Sequence, residues 1–387
     1  MTMKNKNHTA EDIEQGLTSH DPAIRRRWAE YPYFSPTHVQ IERGLTDVSW
    51  GVRIAWVRGM RFTPTTEQVD RGVRDTHEYV RLAWAERKDF TPTPEQVEVG
   101  LTDPDLEVRI TWAKRINFTP TPEQVERGLT DTNAKVRKAW AQRMDFKPTP
   151  EQVERGLTDA DLSVQAAWIH RTDFQSTPLQ IERGLTDEHW NIRIAWAQRK
   201  DFTPTPEQVE RGLTDLREFV RAAWACRLDF VSNAEQVERG LTDEQWWVRK
   251  VWGSRCDFIA SPAQVERGLT DDKDSIRIVW AERMDFTPTP EQVERGLTDA
   301  DPWVRKAWAQ RTDYTPTIHQ AERGLSEEDP NIVLVWLNRS DIVWTHTHIQ
   351  KGLQHPVMEI RKAWEEVLQK LHNSNDTPAD ACSLPCV

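Results

Sequence analysis

His346, His348 and His355 are the residues whose type and spacing come closest to a metal site. Zinc takes four donors, or three and a water, and no cysteine or carboxylate stands at a telling spacing from these three. Loop and helix-capping roles account for them more simply. Cys382 and Cys386 make a Cys-x3-Cys pair within a polar terminal stretch and carry little signal. Arg127, Arg137 and Arg143 head three rows of arginine that could form stripes for phosphate. Their neighbours Glu126, Asp131 and Asp145 make intramolecular ion-pair ladders the simpler use. The chain has no phosphate-binding glycine loop and no nucleophile motif. We therefore assign no catalytic, cofactor-binding or metal-binding residue, and an enzyme is disfavoured.

All these residues sit in a sequence written over and over. In 203–230, TPTPEQVERGLTDLREFVRAAWACRLDF, the spacing from Trp224 to the previous and next framework tryptophans is 28 residues, and tryptophan recurs at that interval from Trp28 to Trp364. Glycine keeps the same step from Gly16 to Gly352, which makes thirteen copies without an insertion. A fixed period of this length means an array of stacked supersecondary units. Such an array grows by adding neighbours and needs no single core.

Within a unit the punctuation predicts two helices. Thr205 is a good N-cap, Pro206 suits the first helical position, and Gln208 completes a capping box. Helix A then runs about two turns to Leu213, with Val209 and Leu213 on one face. Asp215 reads as the N-cap of helix B, whose Val220, Ala223 and Trp224 form one apolar stripe. Both helices are too short to persist alone and must stack. The repeated Gly212 suggests a close helix contact or a bend that a Cβ would block. The tryptophan ladder reads as a packing spine.

The domain expectation is a disordered stretch over 1–8, one continuous array over 9–372, and a disordered tail over 373–387. The divergent units at 9–34 and 343–372 read as caps, the last helix running from 360 to about 371. The formal charge of −11 is spread along the chain at about one negative charge per repeat. That balance disfavours nonspecific nucleic-acid binding, which draws its affinity from neutralised phosphates. Four cysteines in 387 residues argue against a disulfide framework. With a mean hydropathy of −0.73, no signal peptide and no long apolar run, the expectation is a cytoplasmic protein without membrane contact.

The segment Asp103-x4-Val108-Arg109-x2-Trp112-Ala113 resembles the second helix of HEAT repeats, and the Thr-Pro-rich connection resembles leucine-rich repeat variant proteins. The resemblance covers roughly residues 9–372. It implies an all-α fold, a right-handed α-α superhelical solenoid of about thirteen two-helix HEAT-like repeats, with helix B on the concave side and usually a scaffold or binding role. It also implies an aspartate–arginine ladder, matched here by Asp103, Asp131, Asp159 and Asp187 with Arg109, Arg137 and Arg193, and interrupted at Gln165 and Val333. Thr-Pro-Glu-Gln-Val at 205–209 resembles the opening of TAL effector repeats, but the Gly-Gly-Lys-Gln turn of that family is missing.

Copies differ most in the four residues after the Thr-Asp step, as at 48–51, 76–79, 188–191, 216–219, 244–247 and 300–303. Trp50, Tyr79, Trp190, Phe219, Trp246, Trp247 and Trp303 place large aromatics there, where the pattern predicts exposure. Exposed aromatics favour protein recognition; the alternative is that they cover the edge of the adjacent repeat. A second variable line on helix B carries Lys138, Lys250 and Lys306. The leading functional expectation is a non-enzymatic scaffold that binds a protein partner through the variable edge and concave face. The alternatives are a nucleic-acid-binding repeat protein, modular or shape-reading, or an acidic decoy of one.

Overall fold

The computed structural model describes residues 8–59 and 61–375, with side chains to residue 370. The expected disordered stretches, 1–8 and 373–387, lie almost wholly outside the described residues. The chain divides into two compact units, Met1–Gly184 and Leu185–Val387. The described residues form 26 helices and no strand. No described helix is long and apolar enough to cross a membrane.

In the first unit, pairs such as Pro94–Leu101 with Leu106–Ala113 and Pro122–Leu129 with Ala134–Ala141 follow one another. In the second, Pro206–Leu213 pairs with Glu218–Ala225, and Ala234–Leu241 with Trp246–Gly253. Within each unit every helix B packs on the next helix B more closely than helix A does on the next helix A.

Helix A begins as expected. Thr205 Oγ1 accepts from the Gln208 N–H at 3.3 Å, and Gln208 Oε1 accepts from the Thr205 N–H at 3.0 Å. The same glutamine position also joins repeats: Gln236 Nε2 donates to Glu210 of the preceding repeat at 3.0 Å while its Oε1 accepts from the Asn233 N–H. One side chain thus caps its own helix and holds its neighbour. His348 does likewise in the last pair, with Nδ1 toward Thr345 and Nε2 toward Glu322 at 3.0 Å.

The start of helix B differs from expectation. Asp215 is not its N-cap, because the helix begins only at Glu218 and Arg217 holds the cap position. Asp215 Oδ1 accepts from the Arg217 N–H at 2.8 Å, closing a turn ahead of the helix. Its carboxylate is also committed to Arg193 of the preceding repeat at 2.7 Å. The last helix, Met358–Asn375, runs a turn past its expected end.

The recurrent glycine has a plain cause. A Cβ on Gly212 would lie 2.2 Å from Trp224 Cδ1, so the buried indole rests directly on the backbone of helix A. The same contact recurs from Gly16 and Trp28 to Gly352 and Trp364. Around it Val209, Leu213, Val220, Ala223 and Ala225 close the core of the pair.

Gly212→Ala should therefore destabilise by about 3 kcal/mol, because the ring has no room to yield. Gly51→Ala, in a helix B where the nearest atom is 3.8 Å away, should stabilise by about 0.5–1 kcal/mol. Thermal melts of the two variants should shift in opposite directions.

Candidate functional site

The three arginine rows come first, since free guanidiniums would make a phosphate stripe. Arg137 donates from Nε and Nη2 to both oxygens of Asp159, each at 2.7 Å, and from Nη1 to its own repeat's Asp131 carbonyl at 2.9 Å. Arg127 donates to Glu98 at 2.8 Å, beside the Gln124 amide. Arg143 is almost wholly buried. Its guanidinium lies 4.6 Å from the Phe118 ring and 5.2 Å from Trp140, and donates to the carbonyls of Ala113, Arg115 and Phe118 and to Asp145.

Ala113 ends a helix B, so the guanidinium satisfies carbonyls that the helix terminus leaves open and sets a positive charge at the negative end of its dipole. The same seat recurs at Arg87, Arg171, Arg227, Arg255, Arg283, Arg311 and Arg339. Arg115 has Asn117 where its siblings have aspartate. Burial pushes its pKa down to about 10, which Asp89 offsets only in part. In the second repeat Gly59 stands at this position, and Arg61 reaches back instead to the Ala29 and Tyr31 carbonyls.

The expected ladder breaks are present: Gln165 keeps only the bond to its own repeat's Asp159 carbonyl, and Val333 is buried. Nothing in the sequence reading anticipated that the third row, at Arg143 and Arg227, is buried. Its signal is the pairing of each Arg-x-Asp with a phenylalanine one repeat earlier.

The expected aromatic edge is brought together in two places. In the first unit Trp50 stacks on His77, ring centres 4.4 Å apart, with Tyr79 beside both. In the second unit Trp190, Phe219 and Trp247 form a column with centres 5.6 and 5.5 Å apart, and Trp246 meets Trp247 edge-on. Trp190, Phe219 and Trp246 nonetheless keep 41%, 48% and 37% of their surface exposed, while Trp247 is half-buried beneath them. Each ring therefore covers part of its neighbour and offers the rest to solvent. Trp303 stands apart with the Lys306 ammonium 4.8 Å above its ring. Lys138 is half-buried and Lys250 exposed, and neither lies over a ring. His346, His348 and His355 form no metal-ligand cluster, and none exists among the described residues. His348 caps a helix and His355 accepts from the Val357 N–H.

One further feature marks the second column. Asp105, Asn133, Asp161 and Asp301 cap their B helices with a side-chain oxygen. His189, Arg217, Gln245 and Lys273, in four consecutive repeats, hold the cap position and make no such bond. A missing cap costs about 1 kcal/mol, so stability is given up where the aromatics gather.

No protein-family model and no curated protein sequence matches the chain. Among solved structures it is similar to a leucine-rich repeat variant described as a novel repetitive structural motif. That match has 22% identity over 70% of this chain and 84% of the other, with a TM-score of 0.33. It is also similar to a chain from the complex of Kap95p with RanGDP, with 10% identity over 95% of this chain and 61% of that one and a TM-score of 0.41. Within each unit the helix pairs themselves define the class, an all-α tandem repeat protein built from stacked two-helix units.

Arg217→Asn, Gln245→Asn and Lys273→Asn should each restore a side-chain cap and stabilise the protein by about 1 kcal/mol. Chemical denaturation of the three single variants measures this, and unchanged midpoints would mean that the cap sites are not vacant.

Proposed function

We propose that this protein is a non-enzymatic scaffold that binds a protein partner along the edge formed by its inserts, aided by the helix-B face beside it. The observation that carries the reading is the column of Trp190, Phe219 and Trp247 with Trp246 edge-on to Trp247, of which Trp190, Phe219 and Trp246 stay partly exposed. Large rigid aromatics exposed together are the usual anchors of protein interfaces, and a soluble chain seldom leaves such a patch without use. In the second unit the exposed Lys250 and the half-exposed Ile194 of helix B offer further surface, and in the first unit Ile54 and Leu82 are half-exposed at the matching positions. The arginine rows are engaged within the fold, which favours a protein partner over nucleic acid.

The first and last repeats fit a capping role. Ser19 stands where other repeats carry the ladder aspartate, Tyr31 where they carry the buried arginine, and Gln350 where they carry the glutamate that ties the next repeat. The ladders thus have no continuation at either end.

The test is affinity capture with immobilised full-length protein from nuclease-treated lysate, comparing the native chain with Trp190→Ala/Phe219→Ala/Trp246→Ala. At about 2 kcal/mol per anchor, the variant should lose the proteins that the native chain retains while its circular dichroism is unchanged. Equal retention by both would place recognition elsewhere.

A further inference from the structure

The inserts that carry the second-unit aromatic column, with the insert that follows them, are rich in carboxylates. The inserts 188–191, 216–219, 244–247 and 272–275 carry five acidic side chains against two basic ones, Arg217 and Lys273. Of the five, Glu188, Glu244 and Asp272 keep 85%, 80% and 69% of their side chains exposed. Asp272 accepts from Arg249 at 2.9 Å with Lys273 at 3.3 Å, and Glu244 lies 3.9 Å from Arg221, each contact at one oxygen, while Arg217 forms no ion pair among the described residues.

The protein itself shows what such a combination holds. In its interior Arg255 rests on Phe230 and Trp252 beside Asp257 at 2.7 Å, and Arg143, Arg227 and Arg311 repeat the arrangement. On the edge, Trp303 already carries Lys306 over its ring. No lysine or arginine lies over Trp190, Phe219 or Trp246 among the described residues, although rings and carboxylates are both in place. The uncapped helix starts at His189, Arg217 and Gln245 add backbone N–H donors to the same strip, whereas at Lys273 the Ser275 N–H already donates to Asp274. Extended backbone presents carbonyl oxygens that match such donors.

We propose that the strip of Trp190, Phe219, Trp246 and Trp247 with Glu188, Glu244 and Asp272 binds an extended, arginine- or lysine-bearing segment of a partner protein. The partner's cationic side chains meet the carboxylates and the ring faces. Its apolar atoms cover the column, and its carbonyls accept from the uncapped helix starts. Single-stranded nucleic acid also stacks on exposed aromatics, but it does so in a positively charged groove, and the charge here has the opposite sign. The assignment rests on the binding edge proposed above and specifies what that edge selects.

The probe is a short fluorescein-labelled peptide of alternating arginine and leucine, titrated with the full chain by fluorescence anisotropy at low and at physiological salt. A glutamate–leucine peptide and a single-stranded oligothymidine serve for comparison. The arginine peptide alone should bind. Glu188→Gln/Glu244→Gln/Asp272→Asn should weaken it about tenfold at low salt, and less as salt rises. Neutralising three carboxylates on A helices instead, Glu123→Gln/Glu151→Gln/Glu207→Gln, should leave affinity within about twofold.

The assignment is overturned if the arginine peptide does not bind, if both triple variants weaken it equally, or if the oligothymidine binds in its place. Should the peptide fail while Trp190→Ala/Phe219→Ala/Trp246→Ala still loses its lysate partners, the charge assignment falls and the edge stands. If that ring variant loses nothing, the edge itself falls.

Discussion

Within each unit, successive repeats are fastened to one another chiefly by a guanidinium that has almost left water, as at Arg143 and Arg227. Moving a cation out of solvent costs several kcal/mol unless its hydrogen bonds and charge are met inside. Arg227 meets them fully: its Nη atoms donate to the Ala197, Arg199 and Phe202 carbonyls of the preceding repeat, its Nε and Nη2 reach Asp229, and the Phe202 ring lies 4.6 Å away. The Ala197 and Arg199 carbonyls lie at the end of a nine-residue helix, which leaves them open, so the buried cation and the open carbonyls satisfy each other in one contact. Every such contact joins nearest neighbours, which is how short helices that would melt alone become a cooperative array.

The consequence reaches the surface. With one arginine row buried, a second locked bidentate to the next repeat's aspartate and a third paired to the previous repeat's glutamate, the framework spends its positive charge internally. What distinguishes one repeat from another is then left to the insert between helices A and B, the one stretch that no ladder or core contact dictates. The second-unit inserts use that freedom at a cost to their own helices, replacing capping side chains by His189, Arg217, Gln245 and Lys273. A local rule is thus broken in four successive repeats, three of which carry the exposed aromatic column.

Much of this was legible in the residues alone, because thirteen copies filter constant from variable positions. The two helices, the capping box at Thr205 and the glycine contact follow from local rules applied to one unit, and the aspartate–arginine ladder was implied by the resemblance to HEAT repeats. Asp215 misled because an aspartate before a helical stripe looks like a cap, whereas its carboxylate serves an arginine 22 residues earlier. That pairing exists only between repeats and has no signature within one. Arg143 and Arg227 were opaque for a related reason: a charged residue reads as exposed, and its rings and carbonyls come from the neighbour. Trp190, Phe219 and Trp247 were recognised as a set, but their stacking depends on how far apart consecutive repeats sit.

The account separates a frame that builds the array from inserts that give it specificity, and transplanting inserts tests that division most directly. Residues 188–191, 216–219 and 244–247 would each be replaced by the chain's own Thr-Asn-Ala-Lys from 132–135, and melting and partner retention measured on the same preparation. The division requires a melting midpoint equal to or above that of the native protein, since Asn133 brings a cap, together with loss of retention. A collapsed midpoint, or retention that survives the exchange, would contradict it.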